Sequence, residues 1–150
     1  MPIYLKKEAF DPFQEVQTHQ KLLEENAGFA KYGATAIFIG SMRDFNDDQK
    51  ISEMTLEHYP GMTESVLEVI CQEAQSKWPI LDSLIVHRVG QINLNDSIVV
   101  VAVWSAHRGA AYDANRYIME ALKSKAPFWK KELTHNGAKW VDSNTVVNKS

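Results

Sequence analysis

The chain has 150 residues, 45% hydrophobic and 23% charged, and a formal charge of −3, which fits one domain spanning 1–150 with a core large enough to need no staples. A single cysteine, Cys71, excludes an internal disulfide framework and any Cys-rich zinc or iron–sulfur site, and the acidic balance argues against a general nucleic-acid binder. No run approaches the roughly 18 apolar residues of a membrane span, and Met1-Pro2-Ile3-Tyr4-Leu5-Lys6-Lys7 lacks the apolar core of a signal peptide, so the expectation is a cytoplasmic protein without membrane contact.

In chain order, residues 3–6 suit a short edge strand. Asp11-Pro12 opens a helix, because Asp can cap and Pro is preset for the first helical position. Phe13, Val16, Leu22 and Leu23 supply its apolar stripe, and Asn26 and Gly28 suit its end. Residues 32–40 read as a strand, 41–50 as a polar loop, and 51–59 as a second strand with Met54, Leu56 and His58 on one side. A helix follows over 62–78, with Met62, Val66, Val69, Ile70, Ala74 and Trp78 at helical spacing and Pro79 as its stop. Strands over 84–90 and 97–105 flank a short polar linker suited to a hairpin. The run Ile98-Val99-Val100-Val101-Ala102-Val103-Trp104 suits a central strand buried on both faces. The next helix spans about 107–125, ended by Pro127. Residues 128–132 are extended, Trp140-Val141 suit a last strand, and 143–150 form a polar tail expected to be flexible. Such an order indicates a mixed α+β domain with hairpins, not a doubly wound parallel sheet.

Charge is unevenly placed. Between Ser105 and Lys131 six cations, Arg108, Arg116, Lys123, Lys125, Lys130 and Lys131, face only two anions, Asp113 and Glu120. Part of this segment, Ser105-Ala106-His107-Arg108, falls where the central strand meets the helix. The first N–H groups of a helix lack internal partners and its dipole end is positive, a ready site for phosphate or carboxylate. The alternative is that Ser105 merely caps the helix while His107 and Arg108 are solvated.

Tyr112, Arg116, Met119 and Lys123 share one helical face. Lys123 lies sixteen residues beyond His107, about 24 Å of ideal helix. A single small ligand spans that distance only if the pocket is long, a partner peptide fills it, or two subunits share the site. Lys130 follows Phe128 and Trp129, whose rings could shield its ammonium and lower its pKa for acid–base work; the alternative is a strand with aromatics inward and lysines outward. His58 and His87 read as core or surface histidines and Cys71 as a buried thiol. There is no glycine-rich phosphate loop, G-x-S-x-G elbow or H-E-x-x-H.

Four blocks resemble the large, catalytic subunit of molybdopterin synthase: residues 56–64 (LEHYPGMTE), 87–90 (HRVG), 105–108 (SAHR) and 123–132 (KSKAPFWKKE), in the family's order and spacing. The resemblance covers roughly 30–141. It implies an α/β-hammerhead-like fold with a mixed, largely antiparallel sheet and packed helices. It also implies a sulfurtransferase of molybdenum cofactor biosynthesis, which converts cyclic pyranopterin monophosphate to molybdopterin. The two dithiolene sulfurs come from the thiocarboxylated Gly-Gly C-terminus of a small ubiquitin-like carrier. The family is a homodimer with one carrier at each end, a heterotetramer, and uses neither metal nor dissociable cofactor. By position, Lys123 and Lys130 match the catalytic lysines, and Arg43, His107 and Arg108 the anion-binding positions. Ser41, Met42, Lys131 and Glu132 fall in substrate-contact segments, and Phe38 and Met119 in the pocket wall. Ser41 and Met42 depart from the family's usual residues, so contacts there would run through backbone. A non-catalytic carrier-binding module and a phosphate-ligand sensor are the rival readings, and the presence of both lysines favours catalysis.

Overall fold

The computed structural model describes residues 2–43, 45–46, 49–134 and 137–141. The elements are β1 (Ile3–Lys6), α1 (Pro12–Ala27), β2 (Ala34–Ser41), β3 (Phe45–Asn46), β4 (Gln49–His58), α2 (Met62–Lys77), β5 (Ile80–Arg88), β6 (Gly90–Ile92), β7 (Ser97–Ser105), α3 (Arg108–Lys125), β8 (Phe128–Thr134) and β9 (Gly137–Val141). Among the described residues they form an α+β architecture of two sheets and three helices. The first sheet has the order β1-β5-β7-β2, with β1 parallel to β5 and the other pairs antiparallel. The second runs β3-β4-β8-β9, with β6 also paired to β4. The flexible tail expected over 143–150 lies outside the described residues.

β7 is central, as its apolar run requires: Val100 to Trp104 are fully buried. Alternation sends Val100, Ala102 and Trp104 toward α1, and Val99, Val101 and Val103 toward α2, α3 and the second sheet. The first sheet is therefore a layer between two cores. Each fully buried Leu, Ile or Val in them contributes about 1.5–3 kcal/mol.

Helix boundaries follow local chemistry. The Asp11 carboxylate accepts the N–H groups of Phe13 and Gln14 at 3.0 and 3.3 Å, with Pro12 in the first turn. Gly28, at φ +94°, ends α1. The expected apolar stripes need correction. In α1 the buried positions are Pro12, Val16, His19 and Leu23, a 4-3-4 spacing, whereas Phe13 is 70% and Leu22 48% exposed. In α2 they are Thr63, Leu67, Ile70, Cys71 and Ala74, while Met62 and Val69 face outward. One residue of offset turns a side chain by about 100° around the axis, enough to move it off the buried stripe.

Two further expectations change. The segment 41–50 is not wholly a loop, because Phe45–Asn46 pairs with Gln49–Lys50 as a small hairpin. The linker between β5 and β7 is more than a turn. Gly90, at φ +83°, redirects the chain so that β6 leaves the first sheet and pairs with Met54–Leu56 of β4, burying Ile92 fully.

Candidate active site

Position on β8 decides the character of Lys130. Phe128, Lys130, Glu132 and Thr134 lie opposite His58, Leu56, Met54 and Ile51 on β4. Because Met54 and Leu56 are buried, this is the inward face, and the outward positions Trp129, Lys131 and Leu133 are exposed. The pattern with aromatics inward and lysines outward is therefore not what forms. Lys130 is half-buried, and Glu132, two residues on, is 3% exposed. Burial pulls the Lys130 pKa below the ordinary lysine range, the like charges of Lys123 and Arg43 push the same way, and Glu132 opposes them.

Three cations from distant parts of the chain thus share one electrostatic neighbourhood. Arg43 follows β2, Lys123 lies in the last turn of α3 where the helix dipole favours a cation, and Lys130 is on β8. Met119, one turn before Lys123, is buried at the same end of α3, while Tyr112 and Arg116 earlier on that face are exposed. Phe38 pairs with Val101 on the sheet face that α3 covers and is 41% exposed. Asn115 clamps that packing by donating to the carbonyls of Ala36 and Val101 at 3.0 and 2.9 Å.

Other predicted residues fall elsewhere. Lys131 points to the opposite face, with Nζ 5.7 Å from the centre of the Trp140 ring. Ser41 is exposed. Met42 is buried, and its N–H and carbonyl are both bonded to the 95–96 turn, so it anchors Arg43 and offers no open backbone group. His107 and Arg108 are exposed at the start of α3, separated by most of its 18 residues from Lys123. Ser105 does not cap that helix: it is fully buried and its hydroxyl donates to the His107 carbonyl. Gly33 is packed against this corner, since a Cβ there would lie 2.5 Å from the Ala106 carbonyl oxygen.

His87 is more closely tied to the site than its sequence context suggests. Its ring stacks on Phe128 at 4.1 Å, and Nδ1–H donates to the Arg88 carbonyl at 2.8 Å. Burial pushes its pKa down to about 4, and Lys130 and His58 add to the shift against that hydrogen bond. His87 is therefore neutral, with its Nε2 lone pair as acceptor. The available signal was its place in the HRVG block, two residues from a turn. Cys71 is buried as expected, and burial raises its pKa. A cleft of about 490 Å³ lies along β4 and β6, lined by Lys7, Leu56, Glu57, His58, Val89, Gly90 and Gln91; neither Lys123 nor Lys130 lines it. Among the described residues no helix is long and apolar enough to cross a membrane.

Comparison with known proteins identifies the family. The family model for MoaE protein matches residues 8–125. A relative from Ralstonia nicotianae named molybdopterin synthase catalytic subunit is 55% identical over 120 residues, covering 80% of this chain and 68% of that protein. The structure of a molybdopterin biosynthesis MoaE protein from Burkholderia ambifaria superposes with a TM-score of 0.78 at 41% identity, covering 99% of this chain and 93% of that one. A molybdopterin synthase structure from Staphylococcus aureus gives 0.77 at 33% identity, covering 93% and 95%. With a family model spanning most of its length and relatives of this identity and coverage, the chain belongs to the MoaE family, whose curated relatives are molybdopterin synthase catalytic subunits.

Proposed function

We propose that this chain catalyses the sulfur-transfer step that builds the dithiolene of molybdopterin. Sulfur comes from the thiocarboxylated C-terminus of a small carrier subunit, and the acceptor is cyclic pyranopterin monophosphate. The observation that carries the reading is the inward-facing Lys130, held with Lys123 and Arg43 at the edge of the core. Cations in that setting suit a phosphate, a thiocarboxylate and the negative charge that develops between them. That relatives are named a catalytic subunit implies a second subunit, here the carrier.

In this reading Arg43, with His107 and Arg108, holds the phosphate. Because most of α3 separates His107 and Arg108 from Lys123, this reading takes them from the second copy of a homodimer. With one carrier per protomer the assembly is a heterotetramer. Lys123 and Lys130 guide the carrier's thiocarboxylate, whose sulfur attacks one of the two precursor carbons that become the dithiolene. The new C–S bond replaces a C–O bond of that carbon, whose oxygen departs with a proton, and the carrier is left joined to the precursor as a thioester. Water then cleaves the acyl–sulfur bond, leaving sulfur on the pterin and a free carboxylate on the carrier. A second loaded carrier supplies the other sulfur. Lys130, with its lowered pKa, is suited to exchange a proton during these steps, and holding both reactants together supplies proximity.

A pull-down with the carrier, with and without its Gly-Gly tail, separates this reading from its rivals. Capture that depends on the tail is expected. Tight precursor binding without carrier capture would favour a phosphate-ligand sensor, and carrier capture without turnover a non-catalytic module.

A further inference from the structure

Arg88 is a buried guanidinium outside the lysine cluster. Only 4% of its side chain is exposed. Nη1 pairs with the Asp96 carboxylate at 3.2 Å, and Nη2 donates to the carbonyls of Lys7 at 3.2 Å and Gln91 at 2.7 Å. Its Nε–H is buried without a partner. Taking a guanidinium out of water and leaving one donor unmet makes a poor stabilising device, so its value lies in what it holds in place.

The contacts of Asp96 show what that is. Its carboxylate also accepts the Asn93 N–H at 3.1 Å, closing a turn in which Asn95 sits at φ +71°. The Asp96 carbonyl accepts the Met42 N–H at 2.9 Å, and the Asn95 N–H donates to the Met42 carbonyl at 3.0 Å. Both backbone groups of Met42 are thus held by the turn that Arg88 pins. The Met42 side chain is 3% exposed, so the chain leaves β2 along one path. Arg43 is the next residue.

We infer that Arg88 is a positioning residue: through Asp96 and the backbone of Met42, it fixes the stretch of chain that carries Arg43, and so where the Arg43 charge falls relative to Lys130. This rests on the proposed role of Arg43 in the substrate site. Among the described residues, the charged and titratable groups that act on Lys130 are Lys123, Arg43 and Glu132, with His87 behind Phe128.

The test is a double-mutant cycle of Arg88→Met and Arg43→Met, with Asp96→Asn as the milder variant, each checked for folding by thermal melt. Two readouts are taken. One is the initial rate of sulfur transfer against precursor concentration. The other, needing no substrate, is the pH dependence of Lys130 acylation by a small amine-reactive reagent, read by mass spectrometry. Arg88→Met is expected to raise KM for the precursor roughly 10-fold, the scale of one charge-assisted hydrogen bond, with a smaller change in kcat. It is expected to add almost nothing in the Arg43→Met background. Each single variant is expected to move the Lys130 acylation curve to higher pH, the double no further than Arg43→Met alone. Additive KM effects, or an Asp96→Asn acylation curve superimposed on wild type while Arg43→Met moves it, would overturn the inference. If Arg88→Met does not fold, the cycle is run with Asp96→Asn. Should wild type transfer no sulfur at all, the functional reading fails, and the acylation arm still decides the positioning role.

Discussion

Lys130 stands directly opposite Leu56 on the β4–β8 ladder, on a face where Leu56 is 1% exposed. A lysine in that register carries its stem along the core and its ammonium to the core's edge, where Lys123 and Arg43 also bring positive charge. A fold that only needed stability would place an apolar residue there.

Removing either amine is expected to disable the chemistry and spare the structure. Lys123→Ala and Lys130→Ala should each slow sulfur transfer by roughly 10²–10³-fold, the scale of losing one preorganised donor. Circular-dichroism melts and size-exclusion profiles should match wild type. Activity is measured with thiocarboxylated carrier at saturating precursor.

The buried, neutral His87 makes stability depend on pH. Its folded pKa is about 4 against the ordinary histidine value of 6.5, so the unfolded chain binds the proton more readily between those values. The stabilisation is full above pH 6.5 and is lost as pH falls toward 4. Lowering pH from 7 to 5 should cost about 2 kcal/mol through this residue. Urea unfolding of wild type and His87→Phe at the two pH values checks this, with the variant showing the flatter dependence.

Gly33 couples the start of β2 to the start of α3. Its N–H donates to the Ser105 carbonyl at 2.9 Å, and a Cβ would meet the Ala106 oxygen at 2.5 Å. Gly33→Ala should destabilise by about 1–3 kcal/mol, because backbone must shift. It should also weaken phosphate binding, since His107 and Arg108 move with that turn. Thermal melts with and without inorganic phosphate measure both effects.

Loss of the α1 cap is a local matter. Asp11→Ala should destabilise by about 1 kcal/mol and leave sulfur transfer unchanged, because α1 packs on the sheet face opposite α2 and α3. Denaturant unfolding and the transfer assay test the two halves of that statement.

What the sequence showed plainly was short-range. Asp11-Pro12 marked the start of α1, the run Ile98–Trp104 marked a central strand, and Pro127 marked the end of α3, because each signal acts within a few residues. The orientation of Lys130 was not legible in that way. An alternation of aromatic and lysine pairs fits either face of a strand, and pairing with Leu56, far back in the chain, settles which one is inward. The same is true of β6, whose polar surroundings read as a turn until Ile92 finds Met54. Arg43 follows a strand of one sheet and Lys130 lies in the other, so the effect of one charge on the other depends on how the sheets pack. The order of the four motif blocks identified the family, while the shared neighbourhood of the cations had to come from the fold.

The most direct measurement is a count of sulfur atoms transferred. Purified chain is incubated with thiocarboxylated carrier and cyclic pyranopterin monophosphate, and product and spent carrier are weighed by mass spectrometry. Expected are two sulfurs per pterin, two carriers returned as carboxylates, and loss of the product when Lys123 or Lys130 is replaced by alanine. Unchanged precursor with wild-type chain, or turnover at the wild-type rate by both alanine variants, would contradict the role assigned to the lysine pair.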